Sequence, residues 1–196
     1  MKVIGFSAWS GSGKTTLVER LLVRLRLAGQ RVSVVKHAHH DFDIDHPGKD
    51  SYRHRQAGAF EVVIASNRRL AKIREFETPT ELNVHQLIAE LRDCDWVLVE
   101  GFKHAKLLKI EVWRAAVGKK VNYPGDPFVV AIATDSAAQL PVPTRLPVFD
   151  LNDVDSIASF LLENPARYEY KPESDFGSIA GESSDVVARQ RAATPA

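Results

Sequence analysis

Apolar side chains along this chain follow two patterns, short continuous runs and longer stretches with helical spacing. The continuous runs predict strands that are buried on both faces. They cover residues 2–8, 31–36, 96–99, 108–113, 128–133 and 147–149. Helical spacing is clearest at Leu17, Leu21 and Leu25, which predict a helix from Lys14 to about Ala28. Buried strands separated by helices indicate an α/β fold, with a mostly parallel sheet and helices on both faces.

Smaller elements are predicted between these. Residues 61–65 and 70–74 are rich in β-formers and flank a short polar turn, which predicts a β-hairpin inserted into the α/β order. Helices are expected at 50–57, from Thr78 or Thr80 to about Arg92, and at 154–162.

Length and composition divide the chain at about residue 165. A total of 196 residues suits one α/β domain, which we place at residues 1–165. Beyond it the sequence becomes polar, and residues 171–196 hold few large apolar side chains. We therefore expect residues 166–196 to form a tail that is disordered or loosely attached.

Charge and cysteine content narrow the class of protein. The formal net charge of +1 gives no electrostatic reason to expect nucleic-acid binding. Cys94 is the single cysteine, so no internal disulfide can form. The first apolar run is too short for a signal peptide or a membrane span and leads directly into a glycine-rich turn. These features predict a soluble, cytoplasmic protein that binds neither nucleic acid nor membranes.

The strongest functional signal lies in the segment from Ala8 to Thr16. It matches the P-loop pattern at Gly13, Lys14 and Thr15, although Ala8 stands at the first glycine position. Glycines let the backbone amides turn around a phosphate, and the following helix directs its positive end there. Lys14 is expected to reach the β- and γ-phosphates, and the Thr15 hydroxyl to ligate Mg²⁺. The predicted fold is therefore P-loop NTPase-like, with a nucleotide site formed by Ser10, Gly11, Ser12, Gly13, Lys14, Thr15 and Thr16.

A P-loop site also needs a carboxylate at the end of a second buried strand. Glu100 ends the apolar run Trp96–Val99, at the edge where open α/β sheets bind ligands. We expect Glu100 to hold Mg²⁺ together with Thr15. Lys14 and Glu100 are the predicted catalytic residues of any phosphate hydrolysis.

A polar loop rich in histidine and aspartate follows the second predicted strand. It contains His37, His39, His40, Asp41, Asp43, Asp45 and His46. One hypothesis is a transition-metal site, since these are common ligands, although the spacing is irregular. Another is a loop over the phosphates, with Lys36, His37 and Lys49 as contacts and an aspartate orienting water or Mg²⁺. A solvated loop without a ligand is the third.

Asp135 follows a late buried strand, where a purine base could be recognised. A carboxylate there can accept two hydrogen bonds from guanine N1–H and the 2-amino group, which adenine does not offer. The full Asn-Lys-x-Asp signature of GTPases is absent. The alternative is that Asp135 caps a turn with Ser136.

Several segments together resemble the family of the molybdopterin-guanine dinucleotide biosynthesis accessory protein, MobB. They span residues 8–16, 35–41, 45–51, 56–59 and 99–103, and weaker similarity extends through 109–112 to 133–135. The histidine–aspartate loop with the Pro47–Ser51 segment after it is far more specific than the P-loop alone. Alanine at position 8 is compatible with this family.

The resemblance implies a GTP-binding protein with weak GTPase activity that uses Mg²⁺ and forms a homodimer. It also implies assistance to MobA, the guanylyltransferase that joins GMP to molybdopterin, and leaves open whether molybdopterin itself binds. Two other hypotheses stand beside it. A P-loop small-molecule kinase would transfer phosphate from ATP or GTP to an acceptor, and a binding module would use nucleotide as a structural ligand.

Overall fold

The computed structural model describes residues 1–38 and 42–172 of the chain. The chain divides into two compact units, one formed by Met1–His37 with the chain from Val84 onward, the other by Ala38–Asn83. The strands are β1 (Lys2–Ala8), β2 (Val32–Lys36), β3 (Glu61–Ala65), β4 (Leu70–Arg74), β5 (Trp96–Glu100), β6 (Lys109–Trp113), β7 (Val129–Thr134) and β8 (Val148–Asp150). The helices are α1 (Lys14–Leu27), α2 (Asp50–Gln56), α3 (Val84–Ala89) and α4 (Val154–Glu163).

A six-stranded parallel sheet forms the first unit, in the order β2-β5-β1-β6-β7-β8. Strands β5 and β7 are buried at every residue, as expected for continuous apolar runs. Strand β1 lies between β5 and β6, with Phe6 opposite Glu100 and Ala8 opposite Val112. The carboxyl ends of these strands therefore meet at one edge of the sheet.

Helices cover both faces of this sheet. Alternate residues of a strand point to opposite sides, so a continuous apolar strand presents apolar side chains on both faces. Ile4 and Phe6 of β1 pack with the apolar stripe of α1 and with α4. Val3 packs with Ile88 of α3 on the other face. The predicted α/β fold with a mostly parallel sheet is confirmed.

The second unit consists of α2 and the antiparallel hairpin β3–β4, in which Val62 lies opposite Ile73. The predicted hairpin is confirmed. None of the described residues of this unit is buried. Its exposed large apolar side chains are Phe42, Ile44, Phe60, Val63, Ile64, Leu70 and Phe76.

The helix predicted to begin at Thr78 or Thr80 is wrong at its start, since α3 spans only Val84–Ala89. Asn83 precedes it directly, and asparagine is a stronger N-cap than threonine. At the other end the Leu91 amide donates to the Ile88 carbonyl at 3.0 Å, an i→i−3 bond that tightens and ends the helix. No helix within residues 1–38 and 42–172 has the length and apolar character needed to cross a membrane.

A few residues beyond position 165, where the composition becomes polar, still pack against the sheet. Pro165–Tyr168 form a 3₁₀ turn, and the buried Tyr168 ring lies 5.5 Å from that of Trp96. Glu169 then forms an antiparallel bridge with Lys2. Residues 166–170 thus belong to the folded unit rather than to the tail, whereas residues 173–196 lie outside the described part of the chain.

Candidate phosphate and metal site

The P-loop joins β1 to α1 at the carboxyl edge of the sheet. Ala8 is the last residue of β1, where extended backbone accepts any side chain. Gly11 and Gly13 have φ of 83° and 87°, a left-handed conformation that favours glycine. The first helical bond runs from Leu17 N to Gly13 O, and the first turn of α1 holds no acidic residue. The backbone amides at the start of α1, before Leu17, therefore have no acceptor within the helix. The positive end of the helix dipole also lacks an acidic side chain in the first turn.

Lys14, Thr15 and Glu100 come together beside this helix end. The Lys14 ammonium and the Thr15 hydroxyl both donate to Oε1 of Glu100, the latter at 2.6 Å. Glu100 is only 6% exposed. Burial by itself raises the pKa of the Glu100 carboxyl, but hydrogen bonds from Lys14 and Thr15, with the charges of Lys14 and Lys36, hold it below its usual range. The structure thus holds Glu100 as an ionised carboxylate at the predicted metal position.

The donor set suits Mg²⁺. This ion prefers hard oxygen ligands and is bound in nucleotide sites by one or two protein oxygens together with phosphates. The Thr15 hydroxyl and the Glu100 carboxylate provide such oxygens, already in contact with each other. Lys14 lies on the same carboxylate, within reach of any phosphate that the P-loop amides bind. The side chains present therefore fit a nucleotide phosphate accompanied by Mg²⁺.

The position of Glu100 depends on how closely β2 and β5 approach at their ends. Lys36 lies opposite Glu100 in register, and the His37 amide donates to the Glu100 carbonyl at 3.0 Å. Gly101 follows with φ of 100°, and a Cβ there would lie 2.8 Å from the Cβ of His37. The His37 ring stacks on Phe102 with centroids 4.6 Å apart. A glycine is therefore needed directly after Glu100.

Asp135 lies at the carboxyl end of β7, exposed and 3.8 Å from Nε of Arg114. Arg114 follows β6, and its guanidinium approaches to 3.2 Å the point where a Cβ on Gly13 would stand. The Ser136 amide donates to the Thr134 hydroxyl rather than to Asp135. Asp135 is thereby connected to the P-loop through one arginine, and its role in base recognition stays a prediction.

The described part of the histidine–aspartate loop is organised by Arg55 of α2. Its Nη1 contacts Asp43 at 3.0 Å and Asp45 at 3.2 Å, and its Nε contacts Glu75 at 2.5 Å. The Asp45 backbone amide and then Arg55 hold the pKa of Asp43 below its usual range. Two of the aspartates predicted as possible water or Mg²⁺ partners are thus ionised partners of an arginine.

The other residues of that prediction, His39, His40 and Asp41, lie outside the described residues. Within residues 1–38 and 42–172, no three His, Cys, Asp or Glu side chains are grouped so that they could hold a metal ion. The proposed phosphate contacts of Lys36, His37 and Lys49 stay predictions.

Sequence reasoning missed the contacts of two residues at this site, Trp9 within the P-loop and Arg114 beside it. The Trp9 indole donates to the Lys120 carbonyl at 2.8 Å, and the Lys103 ammonium stands 4.1 Å from its ring centroid. Arg114 was detectable, because it directly follows a buried parallel strand just as Gly101 and Asp135 do. Nothing in the local sequence pairs Trp9 with lysines more than ninety residues away.

Comparison with known proteins identifies relatives of this chain. The family model for molybdopterin guanine dinucleotide synthesis protein B matches residues 3–135. The chain is similar to the molybdopterin-guanine dinucleotide biosynthesis adapter protein of Escherichia coli K12, with 40% identity over 82% of this chain and 91% of the relative. The corresponding adapter protein of Haemophilus influenzae is 36% identical over 81% of this chain and 86% of its own length.

Solved structures give the same result. A crystal structure described as molybdopterin-guanine biosynthesis protein B (mobB) superimposes with a TM-score of 0.62 at 30% identity, covering 82% of this chain and 97% of the other. Bacillus subtilis MobB superimposes with a TM-score of 0.65 at 22% identity, which supports the fold alone; the match covers 87% of this chain and all of the other. The family model covers more than half of the residues and the E. coli relative nearly the whole folded region, so this chain belongs to the MobB family.

Proposed function

We propose that this chain binds GTP with Mg²⁺ at the P-loop and serves as an accessory protein to MobA, the guanylyltransferase that joins GMP to molybdopterin. The observation that carries this proposal is the contact of Lys14 and Thr15 with Glu100 at the start of α1. Relatives of this chain are named as adapter proteins of molybdopterin-guanine dinucleotide biosynthesis, which supports the accessory role.

The residues divide the work of binding a triphosphate. Lys14 and Glu100 neutralise each other in the free protein. A triphosphate carries more negative charge than one carboxylate, so Lys14 exchanges Glu100 for β- and γ-phosphate oxygens. Thr15 and Glu100 would then hold Mg²⁺, which when bound supplies positive charge that bridges the phosphates. Backbone amides of residues 10–16 surround the phosphates as an anion nest.

Base selection is assigned to Asp135. Its carboxylate is exposed at the sheet edge and accepts hydrogen bonds from guanine N1–H and the 2-amino group. Arg114 lies between Asp135 and Gly13, so it can hold the carboxylate in place on the side of the phosphates. Hydrolysis of GTP is weak in this proposal, and it depends on positioning and charge neutralisation by Lys14, Thr15 and Glu100.

The partners follow from the same proposal. The protein acts as a homodimer, and the apolar side chains exposed on the second unit support this assignment because they lack a core within its described residues. A cytoplasmic location completes the proposal and agrees with a single cysteine.

Calorimetric titration with GTP and with ATP, each with Mg²⁺, tests the nucleotide assignment. Tighter binding of GTP is expected, and Asp135→Ala should reduce the preference by weakening GTP while leaving ATP unchanged. Equal or tighter binding of ATP would contradict the proposal. It would favour the kinase hypothesis, which a search for a phosphate-accepting small alcohol would then test.

Lys14→Ala tests the phosphate site itself. Removing the ammonium group should weaken GTP binding by about a hundredfold, the effect of losing one well-placed charge partner, with little change in the circular dichroism spectrum. Arg24→Ala is the matched control, because it removes a positive charge from the same helix about 15 Å further along, where Arg24 pairs with Asp155 on the surface. Unchanged affinity in folded Lys14→Ala would overturn the site.

A further inference from the structure

An open cavity of about 750 Å³ lies in the first unit. Two connections form most of its wall, residues 101–108 between β5 and β6 and residues 114–128 between β6 and β7. Pro141 and Val142 close it from a third segment. Its volume falls within the range of ordinary small-molecule sites. The phosphate site described above does not use this cavity.

Two buried charged side chains of β6 fix the walls. Lys109 is 3% exposed, and its ammonium donates to the carbonyls of Lys103 and Ala105 at 2.8 and 2.7 Å and to Asp126 at 2.9 Å. Lys109 thereby ties both connections to one strand. Gly5 of β1 makes room for it, because a Cβ at Gly5 would lie 3.2 Å from the Cβ of Lys109.

Glu111 and Tyr123 complete this framework. The Glu111 carboxylate accepts from the backbone amides of Asn122 and Tyr123 at 2.8 and 2.7 Å. The Val142 amide donates to the Tyr123 hydroxyl at 3.2 Å, and that hydroxyl bonds back to the Val142 carbonyl. Burying charges costs free energy, but a buried polar network in which every group is hydrogen-bonded makes the surrounding structure rigid. The cavity is therefore a built feature with preorganised walls.

The lining combines positive charge with apolar surface. Lys103, Lys106 and Lys120 carry positive charges around it, while the carboxylate of Asp126 is already paired with Lys109. Apolar surface comes from Val121, Pro124, Pro127, Phe128, Pro141 and Val142. Lysine binds phosphate as a point charge, and apolar walls suit a flat ring system. The excess of positive charge selects an anion, and the apolar area selects one that carries a ring.

We propose that this cavity binds a phosphate monoester of a flat heterocycle, the chemical class to which molybdopterin belongs. This inference rests on the proposed function, since molybdopterin is the acceptor in the reaction that the protein assists. The phosphate lies among Lys103, Lys106 and Lys120, and the ring packs against Phe128 and the prolines.

Trp9 connects the cavity to the P-loop. Its indole donates to the Lys120 carbonyl, and Lys103 stands over its ring, so two of the three cavity lysines also contact a P-loop residue. A phosphate in the cavity competes with the Trp9 ring for Lys103. Ligands at the two sites therefore change each other's affinity, and the coupling is equal in both directions.

Calorimetric titration of the full chain with neopterin monophosphate tests the proposal, with neopterin and inorganic phosphate as comparison probes. The phosphorylated pterin should bind more tightly than either probe. The exposed Lys106 should contribute much of the affinity for the phosphate group, so Lys106→Glu should weaken binding of neopterin monophosphate by about tenfold. Arg26→Glu reverses an exposed charge on α1 and should leave binding unchanged. The assignment would be overturned if Lys106→Glu bound neopterin monophosphate as tightly as the unmodified protein does. It would also be overturned if neopterin or inorganic phosphate bound as tightly as neopterin monophosphate.

The P-loop must be excluded as the place where the probe binds. Lys14→Ala lacks the P-loop cation, so it should bind neopterin monophosphate as the unmodified protein does. Loss of binding in that variant would place the probe in the P-loop and refute the cavity assignment. A GTP titration of the unmodified protein separates the two proposals. Normal GTP binding without pterin phosphate binding refutes the cavity alone, and the reverse result refutes the nucleotide assignment alone.

Discussion

At the scale of single residues, Glu100 shows how contacts decide the charge of one carboxyl. Its burial favours the neutral form, whereas two hydrogen bonds and two lysine charges favour the ionised form and outweigh burial. Because the ionised form is bonded only in the folded protein, its pKa is lower there than in the unfolded chain. The contribution of Glu100 to stability is thus present above the ordinary carboxyl value near 4.5 and lost as the pH falls through the lowered pKa.

Comparing unfolding of Glu100→Gln with the unmodified protein tests this pH dependence. The variant should be less stable at pH 7. The difference should begin to shrink as the pH falls below about 4.5, where the unfolded chain takes up the proton, and it should be lost as the pH falls through the lowered pKa of folded Glu100, where both proteins have a neutral group at position 100. Glu19→Gln on the exposed side of α1 is the control and should give no difference that varies with pH. A constant deficit of Glu100→Gln across the acid range would mean that the side chain contributes through packing alone.

Lys14 and Glu100 were predictable because each stands at a position that its own local pattern defines. One opens a helix after a glycine-rich turn, and the other ends an apolar strand. Their contact joins residues 86 apart and follows from β1 and β5 being parallel neighbours. Arg114 could have been found in the same way, because it directly follows a buried strand. Trp9 escaped prediction because its importance depends on which side chains the completed fold brings beside it. Local sequence patterns show where a residue stands within a helix, strand or turn, but they do not show which distant side chains the fold brings beside it.

At the scale of elements, the ends of β2 and β5 approach so closely that one residue type is required between them. Gly101 combines a φ of 100° with a Cβ position 2.8 Å from His37. Both features follow from pairing Lys36 with Glu100 at the last rung of the two strands. The turn after β5 is thus dictated by the neighbouring strand rather than by its own sequence.

Replacing Gly101 with alanine should lower the free energy of unfolding by roughly 2–4 kcal/mol, from backbone strain together with the clash against His37. Gly118 is the matched control, because its φ of 65° is also positive but a Cβ there meets no atom within 4 Å. Gly118→Ala should cost only about 1 kcal/mol. Urea unfolding midpoints measure both values, provided that the slopes agree. Equal costs at the two positions would show that the strand ends move apart easily.

The same scale explains the misplaced start of α3. Threonines after a β-rich segment resemble a helix start in sequence, but the helix begins at Val84, directly after Asn83, a residue type that is also favoured as an N-cap. The strands were predicted within about one residue because continuous apolar runs define their own limits. Helix ends are less certain, because several residues that can cap a helix stand close together here and the local pattern does not show which of them the chain uses.

At the scale of the whole molecule, the second unit raises the question of what stabilises it. An isolated two-stranded hairpin is marginal in water, and this one has no buried residue among those described. Arg55 supplies ionic contacts to Asp43, Asp45 and Glu75, yet the side chains of Asp43 and Glu75 are nearly half exposed, so water and salt screen those two contacts. Apolar side chains lie on both faces of the hairpin, with Ile64 on one and Val63 and Leu70 on the other.

We propose that a homodimer would provide the missing burial, with the second unit as the subunit interface. Val63→Asp should shift sedimentation velocity profiles from dimer to monomer, since an unpaired charge at an apolar interface is costly to desolvate. Val63 is 57% exposed within one chain, so the substitution has little to disturb in the monomer fold. Val23→Asp is the matched control, because Val23 is 49% exposed on α1 of the other unit. A dimer that survives Val63→Asp but dissociates with Val23→Asp would place the interface on the first unit. In that case the hairpin would have to be stabilised by something other than a second copy of the chain.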